Sequence, residues 1–441
     1  MSSKQSRRDF LRSAAYGGIT IIVGGNAWAK GQSPNERINF ACIGVGGKGD
    51  SDTADAARFG NIVAICDIDD NTIANALKKY PNAKVYHDYR KMFDEMGKSI
   101  DAVTVSTPDH HHAIASAHAM HLGKHCFTQK PLTHTIWEAR QLANIARRMK
   151  VATQMGNQGT ADSSMRKNAY LVRAGVLGKV TEVHVWTNRP IWPQGIPRPP
   201  EAPCPPNVHW KEWIGGAPTR PYANGYHPFA WRGFWDFGTG ALGDMACHTV
   251  NLPFMALDLR NPVSVVAETS GNNRESYPKW SIIHFEFPAT HTRPAVKMTW
   301  YDGGKLPPID LFTGGRFNDL VVDGKISDSG SLIIGDKDKL YTPGDYGGGG
   351  RFIYATDLPE VSYPESPGHF EEFIRAIKEG TPAMSNFPDY AGPLTETILL
   401  GNLAVWADGK KIMWDAKNLR ATNAPEVAHI IKPTYHNGYA L

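Results

Sequence analysis

Two rhythms of apolar and polar positions divide the chain. Short apolar runs at 38–43, 62–66, 84–86, 102–107, 125–128 and 151–155 are separated by segments whose apolar residues recur at helical spacing. Continuous runs of this length suit strands covered on both faces. Their alternation with helices predicts a doubly wound parallel sheet, an α/β domain over residues 36–157. Beyond about residue 178 the pattern turns to strands, at 180–186, 263–269, 280–287 and 295–300. Between 189 and 237 the chain is rich in Pro and in rings: Trp192, Trp210, Trp213, Tyr222, Tyr226, Trp231 and Trp235. Such rings suit either a lid that stacks on the apolar faces of a carbohydrate or simple loop packing. An amphipathic helix beginning at 368–373 and an apolar one over 394–406 are expected to pack back against the domains.

The first run leads at once into Gly44-Val45-Gly46-Gly47-Lys48-Gly49 and then a helical segment reaching Phe59. That is the strand, turn and helix order of a dinucleotide-binding fingerprint. In such a loop Gly44 permits the tight turn, Gly46 lets backbone approach a pyrophosphate, and Gly49 lets helix and strand pack closely. Asp67 ends the second run, 18 residues beyond Gly49. A carboxylate there accepts both hydroxyls of an adenosine ribose and repels a 2′-phosphate, so the expected cofactor is NAD, with NADP disfavoured.

A chain of 441 residues, 41% hydrophobic and 20% charged, can bury a large core across two or three domains. The five cysteines, Cys42, Cys66, Cys126, Cys204 and Cys247, are scattered and odd in number, and read as thiols. At the start, Arg7-Arg8 is followed by a weakly apolar stretch over 14–23 and by Ala27-Trp28-Ala29, a small-x-small cleavage pattern. Residues 1–29 resemble a twin-arginine signal peptide, which implies the twin-arginine export machinery as a partner and a periplasmic or otherwise exported destination. The stretch is too short and glycine-rich to span a bilayer. Removing it lowers the formal charge from +4 to +1, and nothing in the remainder points to nucleic acid.

Two further motifs fall at carboxyl ends of predicted strands, where open α/β sheets bind ligands: Ser106-Thr107-Pro108-Asp109-His110-His111-His112 and Gln129-Lys130-Pro131-Leu132. Together with the glycine loop and Asp244-x-x-x-His248, they resemble the Gfo/Idh/MocA oxidoreductases, the family of glucose-fructose oxidoreductase and inositol dehydrogenases. The resemblance implies a Rossmann domain followed, over 158–441, by an α+β substrate domain with a large open, mostly antiparallel sheet. It also implies that Thr107, Pro108, His110 and His112 line the nicotinamide half of the site, and that Trp231 and Arg232 contact the cofactor. The family's Glu-Lys-Pro motif supplies a catalytic lysine; here Gln129 replaces the glutamate, while Lys130 and Pro131 are kept. A neutral Gln129 amide can still bond a cofactor ribose. The three adjacent histidines invite a metal, but their side chains diverge and no partner set lies at ligand spacing, so no metal is expected.

Asp244 and His248 stand four apart on one predicted helix face. Alone they read as a cap and a buried histidine; beside Lys130 and the fingerprint they read as catalytic. His248 is then the general base, tuned near neutral pH, Asp244 orients the imidazole or the substrate, and Lys130 donates to a developing alkoxide. The expected activity is NAD-dependent oxidation of a secondary hydroxyl of a sugar, glycoside or polyol, with tightly held cofactor and a homo-oligomeric state. The alternatives are an NAD-dependent glycoside hydrolase working by transient oxidation and elimination, and a non-catalytic NAD-bound partner protein.

Overall fold

The computed structural model describes residues 37–441, and the signal-peptide reading of 1–29 lies outside them. Strands β1 (Ile38–Ile43), β2 (Gly60–Cys66), β3 (Lys84–Tyr86), β4 (Ala102–Val105), β5 (His125–Thr128) and β6 (Thr153–Met155) form one sheet. Its order is β3-β2-β1-β4-β5-β6, with every neighbour parallel. Strand β1 pairs with β2 on one side and β4 on the other, so the chain reverses direction across the sheet beside it. That reversal opens a crevice at the carboxyl ends of β1 and β4, where ligands bind in this architecture. The mostly apolar character of β4 follows from burial on both faces: all four of its residues, Thr104 included, are buried.

A second sheet follows, of nine strands in the order β13-β12-β11-β7-β10-β9-β8-β14-β15. It comprises β7 (Val180–Trp186), β8 (Ser264–Thr269), β9 (Ser281–Phe287), β10 (Val296–Tyr301), β11 (Gly330–Gly335), β12 (Lys339–Pro343), β13 (Arg351–Phe352), β14 (Ile412–Asp415) and β15 (Arg420–Ala421). Only β7 and β10 pair in parallel; the rest is antiparallel, as the family resemblance implied. In β9 buried and half-buried residues alternate strictly, which marks a sheet covered on one face.

The helix His369–Glu379 carries Phe370, Phe373 and Ile374 into a cluster with Phe40 and Phe127 of the parallel sheet. Its Glu372 also forms a fully buried pair with Arg166 of the helix Ser163–Arg173 at 2.5 Å. The helix Gly392–Trp406 is buried nearly all round, which explains its lack of an amphipathic face. It lies against the helices Ile136–Met149 and Gly240–Thr249 and against β8 and β9, and so fixes the second sheet beside the first.

The Pro-rich segment folds over the carboxyl end of β2. The amide of His209 donates to the Ile68 carbonyl at 2.8 Å, that of Asp70 to Asn207 at 3.0 Å, and the rings of His87 and His209 stack 3.5 Å apart. Its rings resolve the choice between stacking on sugar and packing. Trp213, Tyr226, Trp231 and Phe237 are buried against one another, Trp192, Tyr222 and Trp235 are also buried, and Phe229 is the exposed exception.

Candidate active site

Three loops converge at the crevice. After β1, Gly44 adopts a φ of +77°, and a Cβ there would lie 2.5 Å from the Ser106 carbonyl of the loop after β4. At Gly49 a Cβ would lie 2.1 Å from the Gly44 carbonyl, so only glycine lets the helix Lys48–Phe59 start this close to β1. That helix begins with no side chain capping its first turn, which leaves donors of the kind that hold phosphate. Asp67 stands at the end of β2, and its carboxylate accepts the Val45 amide at 2.8 Å and the Asp69 amide at 3.1 Å. Burial pushes the Asp67 carboxyl up, opposed by those amides. Glycine cradle, uncapped helix and acidic residue together fit NAD.

A buried acid that the sequence reading missed, Asp52, ties the loops together. It accepts Ser106 Oγ at 2.7 Å and Gln129 Nε2 at 2.8 Å, and its other oxygen lies 2.8 Å from Lys48 Nζ. This qualifies the expectation for Gln129: one N–H of its amide is taken by Asp52, and a charged glutamate here would face another carboxylate. The rings of the three adjacent histidines face backbone carbonyls. His110 Nδ1 and Nε2 lie 3.2 and 2.9 Å from the Phe237 and Trp213 carbonyls, His111 Nε2 lies 2.8 Å from that of Trp213, and His112 lies between the Pro131 and Thr107 carbonyls at 2.8 Å each. Burial pushes His110 well below the ordinary value, so its neutral ring donates to one of its two carbonyls, and His112 sits between the two motif loops. Thr107 and Pro108 do lie on the loop beyond β4, with Thr107 Oγ1 buried and unpartnered. Nor does Asp109 cap the following helix; it accepts Thr239 Oγ1 at 2.6 Å.

From the opposite side comes the helix Gly240–Thr249, in which Asp244 is the one residue not fully buried. Lys130 Nζ donates to Asp244 Oδ1 at 2.7 Å and to its backbone carbonyl at 2.9 Å, and Arg232 Nε stands 3.5 Å from the same carboxylate oxygen. Burial by itself raises the Asp244 carboxyl, but Lys130 and Arg232 outweigh it and hold the group below the ordinary value. Trp231, with Nε1 on the Pro228 carbonyl, stacks under the Arg232 guanidinium at 4.3 Å, so this pair serves the Lys130–Asp244 cluster.

His248 lies one turn beyond Asp244, buried, with Nδ1 lacking any partner. Two expectations change here. Asp244 is engaged by Lys130 and Arg232 and does not orient the imidazole. The ring is not tuned near neutrality either, since burial first and Lys130 second push it down to about 3. A neutral imidazole is nevertheless the form that accepts a proton. Beside it, Tyr346 sets its ring edge-on to His248 with centroids 4.9 Å apart. Tyr346 was also missed from sequence, although the run Gly344-Asp345-Tyr346-Gly347-Gly348-Gly349-Gly350 is a conspicuous loop signal. All five cysteines are free, Cys204 alone being exposed.

The chain matches two models of one oxidoreductase family, its NAD-binding Rossmann fold over residues 38–157 and its C-terminal alpha/beta domain over 161–291. Among curated proteins it is similar to Glycosyl hydrolase family 109 protein 1 of Shewanella sp. (strain ANA-3), 28% identical over 203 residues, 40% of this chain and 44% of the relative. It is likewise similar to an Alpha-N-acetylgalactosaminidase of Shewanella oneidensis, 27% identical over 203 residues with the same coverage. The chain thus spans less than half the length of these relatives. Among solved structures, the WlbA dehydrogenase from Bordetella pertussis, in complex with NADH and UDP-GlcNAcA, matches at a TM-score of 0.58 and 15% identity, over 86% of this chain and 99% of that one. The aldose-aldose oxidoreductase from Caulobacter crescentus, complexed with glycerol, matches at 0.57 and 15%, over 86% and 99%. At this identity the structural likeness speaks for the fold alone. The two family models together cover more than half of the sequence, and the chain belongs to the Gfo/Idh/MocA oxidoreductase family.

Proposed function

We propose that this chain is an exported oxidoreductase that oxidises a secondary hydroxyl of a sugar, glycoside or polyol and keeps its NAD between turnovers. The observation that carries the reading is the Lys130 ammonium, fixed 2.7 Å from Asp244 at the mouth of a dinucleotide crevice with neutral His248 one helical turn away. NAD, when bound, supplies the hydride acceptor. Asp244 and Arg232 hold the lysine in place, and Lys130 donates a hydrogen bond to the substrate oxygen as its proton leaves. His248 accepts that proton while the carbon loses hydride, so the C–H and O–H bonds break and a carbonyl forms. The glycoside-acting names of the sequence relatives support a carbohydrate. Export through the twin-arginine machinery and a homo-oligomeric state are parts of the same proposal.

The glycosidase names of the sequence relatives favour a second reading, in which the same residues serve transient oxidation, elimination and hydration with the hydride returned. Mass spectrometry of a glycoside panel after incubation with the NAD-loaded protein separates the two. Oxidation yields a product lighter by two hydrogens; hydrolysis yields two fragments that together gain one water. His248→Ala should stay folded and NAD-loaded while losing about 100-fold or more in rate. An unchanged panel, or a fully active His248→Ala protein, would refute the proposal.

A further inference from the structure

The glycine-rich loop between β12 and β13 is built to reach the candidate site. Gly344, Gly347 and Gly349 adopt φ values of +82°, +76° and +69°, which fold the loop tightly. It is docked at both ends. The amide of Gly344 donates to the Ser329 carbonyl at 2.8 Å, and that of Gly349 to Ser164 Oγ at 3.0 Å. At its centre the Tyr346 carbonyl lies so close to Gly159 that a Cβ there would come within 2.6 Å. The result is a docked turn that holds the Tyr346 ring beside His248, with Asp345 next to it in the chain.

Asp345 Oδ1 is buried and has no hydrogen-bond partner, while Oδ2 stands 3.9 Å from an Arg189 Nη, beyond hydrogen-bonding distance. Both side chains are about a fifth exposed. A buried carboxylate oxygen without a partner calls for an explanation, and a ligand donor is the simplest one beside a catalytic cluster. Arg189 is among the charges that, after burial and Lys130, help hold the His248 imidazole neutral. Tyr346 is 48% exposed and offers ring surface beside that imidazole.

We infer that Asp345 and Arg189 form a substrate subsite that grips a vicinal diol of a pyranose, with Tyr346 as the platform under the sugar's apolar face. Adjacent hydroxyls can donate to the two carboxylate oxygens and accept from the guanidinium, and a carbohydrate ring lies well on an aromatic one. The inference rests on the sugar-oxidoreductase reading above and names the part of the substrate that the second domain recognises.

The test is calorimetric titration of NAD-loaded protein with methyl hexosides and their monodeoxy derivatives, up to tens of millimolar. In the wild type, removing one hydroxyl of the gripped diol should weaken binding about 10- to 100-fold. Asp345→Ala should weaken the parent sugar by a similar factor and abolish the difference between parent and deoxy sugar; Arg189→Gln should do so in part. Retention of NAD and an unchanged unfolding temperature report that each variant is folded. Asp345→Asn, nearly isosteric, carries the same test should the alanine variant fail to fold. Wild-type affinity in Asp345→Ala or Asp345→Asn, or no binding by any hexoside, would overturn the inference. Binding that behaves as described without reduction of the cofactor would leave the subsite standing and defeat the redox reading instead.

Discussion

Gln129→Glu restores the family's residue and should nevertheless damage this protein. In the wild type Gln129 Nε2 donates to Asp52 Oδ2 at 2.8 Å, in a pocket where Asp52 and Gln129 are 1% and 6% exposed. The substitution exchanges that donor for a second carboxylate oxygen. Two unit charges at this separation repel by about 6 kcal/mol at an effective dielectric constant of 20, so one group takes up a proton instead of both ionising. Lys48, 2.8 Å from the other oxygen of Asp52, offsets part of the repulsion but is half-exposed. A net loss of about 2–4 kcal/mol near pH 7.5 is expected, from the lost charge-assisted hydrogen bond and the cost of holding one acid protonated. In the variant the cost arises only where both carboxyls would ionise. The penalty is therefore largest at high pH and shrinks as the pH falls toward the unfolded carboxylate pKa, near 4. The double variant Asp52→Asn with Gln129→Glu replaces one carboxylate by an amide and should recover most of the loss. Urea unfolding of the four proteins of this cycle at about pH 7.5 and pH 5 measures the coupling. Equal stability of Gln129→Glu and wild type at the higher pH, or no rescue in the double variant, would refute the assigned role of Asp52.

Other outcomes follow from the same geometry. Asp67→Asn should weaken NAD binding by about 10-fold and narrow the preference against NADP, because the negative charge at the ribose end is lost while an amide oxygen still accepts from Val45; equal dinucleotide affinities before and after would contradict it. His248 is held down to about 3, so its contribution to stability is complete above its unfolded value near 6.5 and is lost as pH falls toward the folded one. His248→Gln should thus lose roughly 3 kcal/mol less than wild type between about pH 7.5 and 4.5, measured by denaturant unfolding at each pH. Arg7→Lys with Arg8→Lys should strand the precursor in the cytoplasm, and cell fractionation that finds mature protein outside the inner membrane would count against export.

The parallel sheet was readable because its central strands β1, β4 and β5 are buried almost throughout and leave mostly apolar runs, and because Gly44, Gly49 and Asp67 sit at spacings that the turn itself demands. Most strand ends matched the apolar runs, and the others differed by one to two residues, as where 102–107 ends at Val105. What sequence could not display was partnership. Gln129 and Asp52 lie 77 positions apart, and nothing local tells that one N–H of the amide is already taken. His110 and His112 were read as lining the nicotinamide half of the site from the family resemblance. The His110 ring faces backbone carbonyls of the Pro-rich segment, over 100 positions away, and the His112 ring lies between the carbonyls of Thr107 and Pro131. Asp244 and His248 share a helix face, as the four-residue spacing requires, yet the carboxylate is claimed by Lys130, which comes from the other sheet. Asp345 and Tyr346 were hidden because their setting depends on a β12–β13 turn outside any strand or helix pattern.

The central claim is that a sugar hydroxyl is oxidised by NAD held in this crevice. The most direct measurement mixes purified protein, without added cofactor, with a sugar or glycoside panel and follows the reduced-nicotinamide absorbance band, then denatures the protein and identifies the released dinucleotide by mass. The account predicts up to one NAD per chain, reduction in place by at least one member of the panel, and loss of that reduction in Lys130→Ala. Protein that carries no dinucleotide and reduces only added NAD, or bound NAD that no sugar reduces, would contradict it.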